Sequence, residues 1–502
     1  MKPLGAIDAL WLHLETADTP MHVGALHLLD APAGGGDFFD AVRRHLAARL
    51  GSSPVFTRRL RALPLALANP LWTHGRVDMS HHLKRVRLPA PGTLRELEHA
   101  VARLHALRLD RRRPLWQFFL IEGLADGGYA LYSKLHHSAI DGAAGVVLAQ
   151  ALLDADPEAA AERPATGDDT APVQEAAPGT VKLLAAAAAH NGRAGLDLLR
   201  QAPSLALTAL GALRGAGSGV LAAWARHFSL APPTVFNHAI DSRRSVATAR
   251  LPLATLQRIA VAQEATLNDV VLAVVGGALR SYLAARDGLP DKPLLAAMPV
   301  SLRASGDRQM NTQATMAQAS LATDIADPLQ RLRVIHDAAA AAKAMSRGLQ
   351  PALGLSLPSI GLPWLLTAAA TLWAGGLAER LPRLANVVVS NVPGPPMPLY
   401  IAGARLRTWW PLSIVEHGLG LNVTVMRYTD SLDFGVVAAQ RLVPDAAPLA
   451  QALRASCDEL AAAALPPPKP RRAPAKRRGA KRTVAAPAGA PRKPRALRRE
   501  AA

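Results

Sequence analysis

From Tyr129 to His137 the chain alternates as a β-strand does. Tyr129, Leu131, Ser133, Leu135 and His137 fall on one face, and Ala130, Tyr132, Lys134 and His136 on the other. The two adjacent histidines are therefore expected to point in opposite directions. Ser138-Ala139-Ile140 then turns the chain, and Asp141-Gly142 opens an apolar helix over 143–153. A strand that ends in histidine and turns into a helix at Asp-Gly suits a buried general base. Imidazole is the side chain that accepts and returns a proton near neutrality.

The same strand sets the surrounding organisation. The run PLWQFFLIEG over 114–123 reads as its hairpin partner, with a strand over 21–29 and helices over 37–50 and 93–106 before it. A first α/β half is expected to close near residue 155. Residues 157–178 are rich in Ala, Pro, Asp and Glu without periodicity and read as a linker, followed by alanine-leucine helices. The connection is taken as 156–233. A second α/β half over 234–464 carries strands at 246–251, 293–300, 386–390, 419–428 and 431–438. Its helices are read at 253–263, 267–285 and 448–464.

At 502 residues, half of them hydrophobic, the chain has material for two cores. The single cysteine, Cys457, excludes an intrachain disulfide framework and a cysteine metal cluster. The N-terminus places Asp8 and Glu15 where a signal peptide needs a clean apolar run, so a cytoplasmic location is expected. The formal net charge of +19 is concentrated in the tail, 465–502, which holds 13 Lys/Arg against one acid, Glu500. That segment is expected to be disordered. It suits an anionic lipid surface better than nucleic acid.

The stretch 348–378 has no charged residue, but Pro351, Pro358 and Pro363 interrupt it. The 15 residues left uninterrupted fall short of the roughly 20 that a spanning helix needs. It is expected to be a core helix or a membrane-docking helix, without a transmembrane span.

His-x-x-x-Asp alone is a weak signal. The chain repeats it at His74 to Asp78 without a following glycine, and it has a second histidine pair, His81-His82. On spacing alone Asp141 could be a helix N-cap and His137 a satisfied core residue. Context separates the two sites: an apolar strand before, Gly142 at the turn and an apolar helix after.

His136-His137-Ser138-Ala139-Ile140-Asp141-Gly142 resembles the HHxxxDG signature of coenzyme A-dependent acyltransferases of the chloramphenicol acetyltransferase type and of condensation domains. Pro114-Leu115-Trp116, Asn268-Asp269, the opening DALWLHLETADTPMHVGAL, and the segments MPVSLR and NVVVSNVPGPP narrow the resemblance. The chain is similar to bacterial wax ester synthase/diacylglycerol acyltransferases from about residue 4 to 464. The basic tail lies outside that pattern.

The resemblance implies an α/β fold of two chloramphenicol acetyltransferase-like halves joined by a linker with helices, and a tunnel between them. It implies His137 as general base, His136 as support, and Asp141 and Gly142 as holders of the turn, Asp141 together with an arginine. Asn268 becomes a candidate oxyanion or positioning donor, or else a helix N-cap. It further implies acyl-CoA as co-substrate with no bound cofactor or metal, and diacylglycerol or a fatty alcohol as acceptor at a membrane or lipid-inclusion surface. The rivals are a carrier-protein-dependent condensation enzyme and a non-catalytic lipid-droplet surface protein.

Overall fold

The structure is a computed structural model that describes residues 2–31, 36–140, 145, 148–149, 151–158, 179–215, 230–301, 314–348, 362–377 and 380–466. Met1–Leu465 forms one compact unit. The basic tail is a separate unit and lies, past Pro466, outside the described residues, as do the linker residues 159–178.

Two sheets carry the α/β fold. The first has five strands in the order Trp410–Leu412, His22–Leu29, Tyr129–His136, Trp116–Glu122, Leu83–Arg87. Pairing is antiparallel except for the last strand, which runs parallel to Trp116–Glu122. The second has six strands in the order Ala314–Ser320, Leu295–Ser301, Val387–Val392, Leu421–Tyr428, Ser431–Ala439, Arg244–Pro252. Val387–Val392 runs parallel to both of its neighbours there.

Local chemistry accounts for the helices. Asp37 caps Phe38–Ala47 by accepting the Phe39 amide, and Thr93 with Glu96 forms a capping box at Leu94–Ala106. Leu267–Ala284 starts at a second capping box, Thr266 with Asp269, and runs apolar on nearly every face. Among the described residues it is the one helix long and apolar enough to cross a membrane. It is mostly buried, packed against the second sheet with Leu253–Ala262 and Ala447–Ala464. An all-round apolar helix of that kind is a core helix.

The expected division at 1–155 and 234–464 is not the division of the sheets. Trp410–Leu412, from late in the chain, pairs with His22–Leu29 at the edge of the first sheet. It also crosses the second sheet at Gly435, where a Cβ would overlap the Pro411 carbonyl. Asp433 holds the crossing by accepting the Trp409 amide at 2.6 Å. Three residues are too few to show a period, which hid this strand from the sequence.

The strand Ala314–Ser320 and the helix Pro328–Gly348 are two more elements that lie outside the sequence expectation. The small, mixed side chains of ATMAQAS carry little strand signal. The apolar stretch at 348–378 yields a helix, Leu362–Leu372, that lies on the surface instead of in the core, with Trp364, Leu365 and Leu372 all exposed.

A third apolar cluster joins the sheets through the helix Leu94–Ala106. It includes Leu97, Val101 and Phe119 with Val246, Trp410 and Val437. Glu98 on this helix accepts the amide and the hydroxyl of Thr248, each at 2.7 Å, and so covers the open edge of the second sheet. Burial pushes the Glu98 carboxyl up to about 7, against the hydrogen bonds from Thr248 and the charges of Arg454 and Arg95. A carboxyl raised in the fold binds its proton more tightly there than in the unfolded chain. Its contribution to stability is therefore full below about pH 4.5 and is lost as pH rises through about 7. Glu98→Gln keeps an acceptor for Thr248 and is expected to flatten the fall in stability between about pH 5 and 8. Urea midpoints across that range check it, and parallel curves for the two proteins would refute it.

Candidate active site

The strand Tyr129–His136 ends one residue earlier than the alternation suggests, and residues 137–139 form the turn. The two histidine amides are gripped from opposite sides. His136 N–H donates to Leu115 O at 3.0 Å, and His137 N–H donates to Met21 O at 2.9 Å.

The rings differ in the same way. His136 is fully buried. Its Nδ1 accepts the Ser138 amide at 3.1 Å, and the Ser138 hydroxyl lies 2.7 Å away. Nε2 is thereby left to carry the proton, 3.5 Å from Glu15 Oε1. His137 is half-buried and stacks on Trp11, with ring centroids 4.1 Å apart and planes at 23°.

Trp11 and Glu15 come from the N-terminal helix Ala6–Leu14 and the turn after it. Burial by itself would raise the Glu15 carboxyl. His136 and Arg111 outweigh it and bring the carboxyl down to about 2. Arg111 reaches Glu15 Oε2 through Nε at 2.9 Å and Nη2 at 2.7 Å. Oε1 accepts the Met21 amide at 3.2 Å, so the residue whose carbonyl holds His137 is itself held by Glu15.

The face of the strand opposite His137 is a buried polar layer. Lys134 Nζ donates to Leu104 O and Leu107 O at 3.0 and 2.7 Å, and burial lowers its ammonium to about 7. His105 Nε2 donates to Ser413 O at 3.1 Å, and its Nδ1 receives the Tyr132 hydroxyl at 2.7 Å. Burial brings the His105 imidazole down to about 3. These groups support the strand as neutral or paired residues.

Beside the turn, Arg58 Nη2 donates to Ala139 O at 2.7 Å while its guanidinium lies 4.4 Å over Trp72. Pro114-Leu115-Trp116 works through Leu115 O and through Trp116. The indole donates to Phe56 O at 3.0 Å and stacks on His82 at 4.1 Å. The His82 ring is buried and fixed against Trp116, and His74 is exposed.

The chain matches the family model described as wax ester synthase/diacylglycerol acyltransferase catalytic domain over residues 4–271, and the corresponding C-terminal domain over 311–461. The chain belongs to the wax ester synthase/diacylglycerol acyltransferase family. It is an acyltransferase of that family, and its fold is the α/β fold those enzymes share with condensation domains.

It is 32% identical over 450 residues to the O-acyltransferase WSD of Acinetobacter baylyi, covering 88% of this chain and 93% of the relative. It is 38% identical over 461 residues to a Mycobacterium tuberculosis protein that bears the name of a diacylglycerol O-acyltransferase, covering 91% and 99%. The wax ester synthase/diacylglycerol acyltransferase of Marinobacter aquaeolei VT8 aligns with a TM-score of 0.64 at 30% identity, over 92% of this chain and 100% of that one. The first condensation domain of the calcium-dependent antibiotic synthetase aligns at 0.53 with 15% identity, over 92% and 97%, a likeness of fold alone.

The remaining family motif residues fall as follows. Asp141 and Gly142 lie outside the described residues. Asn268 is not the N-cap of its helix, because Thr266 holds that position through its hydroxyl. Asn268 is the second residue of the helix, and its Oδ1 accepts from Asn391 Nδ2 at 3.4 Å. Asp269 beside it is buried, closes the capping box and pairs with His336 at 2.8 Å. The contacts that fix Asn268 thus belong to the second sheet, and those that fix His136 belong to the first. Glu15, Trp11, Arg111 and Arg58 escaped sequence reasoning as site residues, although the first two stand inside the quoted N-terminal pattern.

Glu15→Gln removes the charge on which Arg111 and the His136 side converge. A loss of about 3 kcal/mol is expected near neutral pH, moderated because Arg111 is partly exposed. The contribution of a depressed carboxyl is present above about pH 4.5 and vanishes as pH falls through about 2, so the gap to the native protein should close in acid. Denaturant titrations at several pH values measure it, and a gap independent of pH would refute the assignment.

Proposed function

We propose that this acyltransferase esterifies diacylglycerol, and long-chain fatty alcohols where supplied, from acyl-CoA, with His137 as general base. The observation that carries the reading is the asymmetry of the histidine pair. The His136 ring is enclosed between Ser138 and Glu15, whereas the His137 ring is partly open and stacked on Trp11, its backbone amide held by Met21 O.

In the reaction His137 takes the proton of the acceptor hydroxyl as the oxygen attacks the thioester carbonyl. The carbon–sulfur bond then breaks, and the CoA thiolate leaves and recovers the proton from the imidazolium. A thioester has a stable leaving group, so the catalytic need is for the base and for donors to the oxyanion. Asn268 supplies such a donor in this reading, since accepting from Asn391 through Oδ1 leaves its own amide N–H groups to give. Asp141 keeps the turn-holding role that the family resemblance implies, and Arg58 braces the same turn through Ala139 O. Acyl-CoA enters as a co-substrate, and the chemistry calls for no resident cofactor or metal.

Peripheral docking on a lipid surface completes the proposal. Trp364 and Leu365 are 53% and 68% exposed, and the Trp364 indole donates to the carbonyl of Leu65, itself 81% exposed. The helix that carries them packs on the N-terminal helix, whose Trp11 covers His137. An apolar surface helix beside the base suits substrates that partition into lipid.

The test supplies palmitoyl-CoA with dioleoylglycerol or hexadecanol and follows ester and free thiol together. Ester and thiol are expected in equal amounts, with His137→Ala reducing both about 10²–10⁴-fold. Full activity in that variant would sink the mechanism, and no thiol release with any acyl-CoA would sink the donor assignment. For docking, Trp364→Ser with Leu365→Ser is expected to lower co-sedimentation with lipid vesicles several-fold. Unchanged sedimentation would remove the helix from the proposal.

A further inference from the structure

The second His-x-x-x-Asp segment, which the active site leaves unused, forms one wall of a pocket of about 380 Å³. Four arginines line it, Arg59, Arg76, Arg112 and Arg113, against two carboxylates, Asp78 and Asp110. The carboxylates are already engaged. Asp110 holds Arg112 through two bonds of 3.0 Å, and Asp78 holds Arg113 at 3.1 Å while capping the turn at Ser80.

Arg59 and Arg76 have no carboxylate partner among the described residues, and the buried Nε of Arg59 has no hydrogen-bond partner. Gly75 makes room for that side chain, since a Cβ there would stand 2.9 Å from Arg59 Nε. The pocket therefore carries two uncompensated guanidiniums in a concave site, the arrangement that recognises a phosphate.

His82 lines the same pocket and adds a different contact. Its Nδ1 donates to Trp116 O at 2.7 Å, so the buried Nε2 carries the lone pair, and that atom has no hydrogen-bond partner among the described residues. A ligand with both phosphoryl oxygens and a hydroxyl satisfies the arginines and the histidine together. The pocket also adjoins the active site. Pro114 lines it, the next carbonyl, Leu115 O, holds His136, and Arg58, next to Arg59, holds Ala139.

We propose that this pocket is a binding site for a phosphorylated polyol, with Arg59 and Arg76 on the phosphate and His82 Nε2 accepting a hydroxyl. Two sources bear that chemistry. One is the phosphorylated ribose of a CoA thioester, a source that rests on the acyl-CoA reading above. The other is the glycerophosphate headgroup of an anionic phospholipid.

The experiment uses the full chain, the exposed-site variant Arg76→Gln and the double variant Arg59→Gln/Arg76→Gln. Adenosine 3′,5′-bisphosphate is titrated calorimetrically, and vesicles of phosphatidylglycerol in phosphatidylcholine are sedimented with each protein. The native protein is expected to bind at least one probe, and Arg76→Gln to weaken it about tenfold at an unchanged melting temperature. Loss of the bisphosphate, with a raised KM for palmitoyl-CoA and unchanged kcat, identifies the nucleotide source. Loss of vesicle binding alone identifies the headgroup. Native protein that binds neither probe, or variants that bind both as the native protein does, would overturn the site. Failure of the acyltransferase reading would show separately, as absent thiol release, and leaves both binding measurements readable.

Discussion

A carboxylate with only 1% of its side chain exposed stays charged only where donors converge on it, and Glu15 is such a carboxylate. Burial costs an isolated charge several kcal/mol, so the arrangement holds because Arg111, the Met21 amide and His136 meet at one point. Those three groups come from a loop, a turn and the end of a strand. Their convergence decides where the N-terminal segment lies. It sets Trp11 against the His137 ring and Met21 O against the His137 amide. The turn after Glu15 is tied as well. Thr16 and Thr19 bond each other at 2.8 Å, and Arg244 from the second sheet reaches Asp18 O at 2.6 Å.

Much of this architecture is legible in the sequence wherever a period is long enough to read. Tyr129–His136 is a strand through eight residues with both faces largely buried, and the histidines at its end separate into a fully buried His136 and a half-buried His137. The capped helices Leu94–Ala106 and Leu267–Ala284 begin within a residue or two of where their capping residues and apolar spacing place them. The HHxxxDG segment with its PLW and ND companions identifies the family, because three separated motifs in order are far more specific than one.

What sequence reading missed was decided by tertiary contact. Trp410–Leu412 is a strand because two sheets need a bridge there, and its position depends on Gly435 and Asp433, more than twenty residues later. Glu15 is an ordinary helix-end acid in the sequence, and only the fold brings Arg111 and His136 to it. Asn268 and Thr266 are both good caps by residue type. The hydroxyl of Thr266 bonds the Asp269 amide, which leaves Asn268 for another task. The helix Leu362–Leu372 has a core composition and a surface position, which its sequence does not reveal.

The buried polar layer behind the strand explains why the pair of histidines keeps its roles. A strand shifted by one residue would exchange the faces of His136 and His137 and carry Lys134, Tyr132 and their partners out of register. Three separate grips oppose that slip. Leu115 O and Met21 O take consecutive amides from opposite neighbours, so neither can move without breaking the other. Lys134 is fixed by two carbonyls at the end of the helix Leu94–Ala106, and Tyr132 is fixed through His105 to Ser413 O. Each of these groups would be costly to leave unpaired in a dry interior, so together they penalise every register but one. The polar face is thus what keeps the His137 ring on the open side of the sheet, next to Trp11.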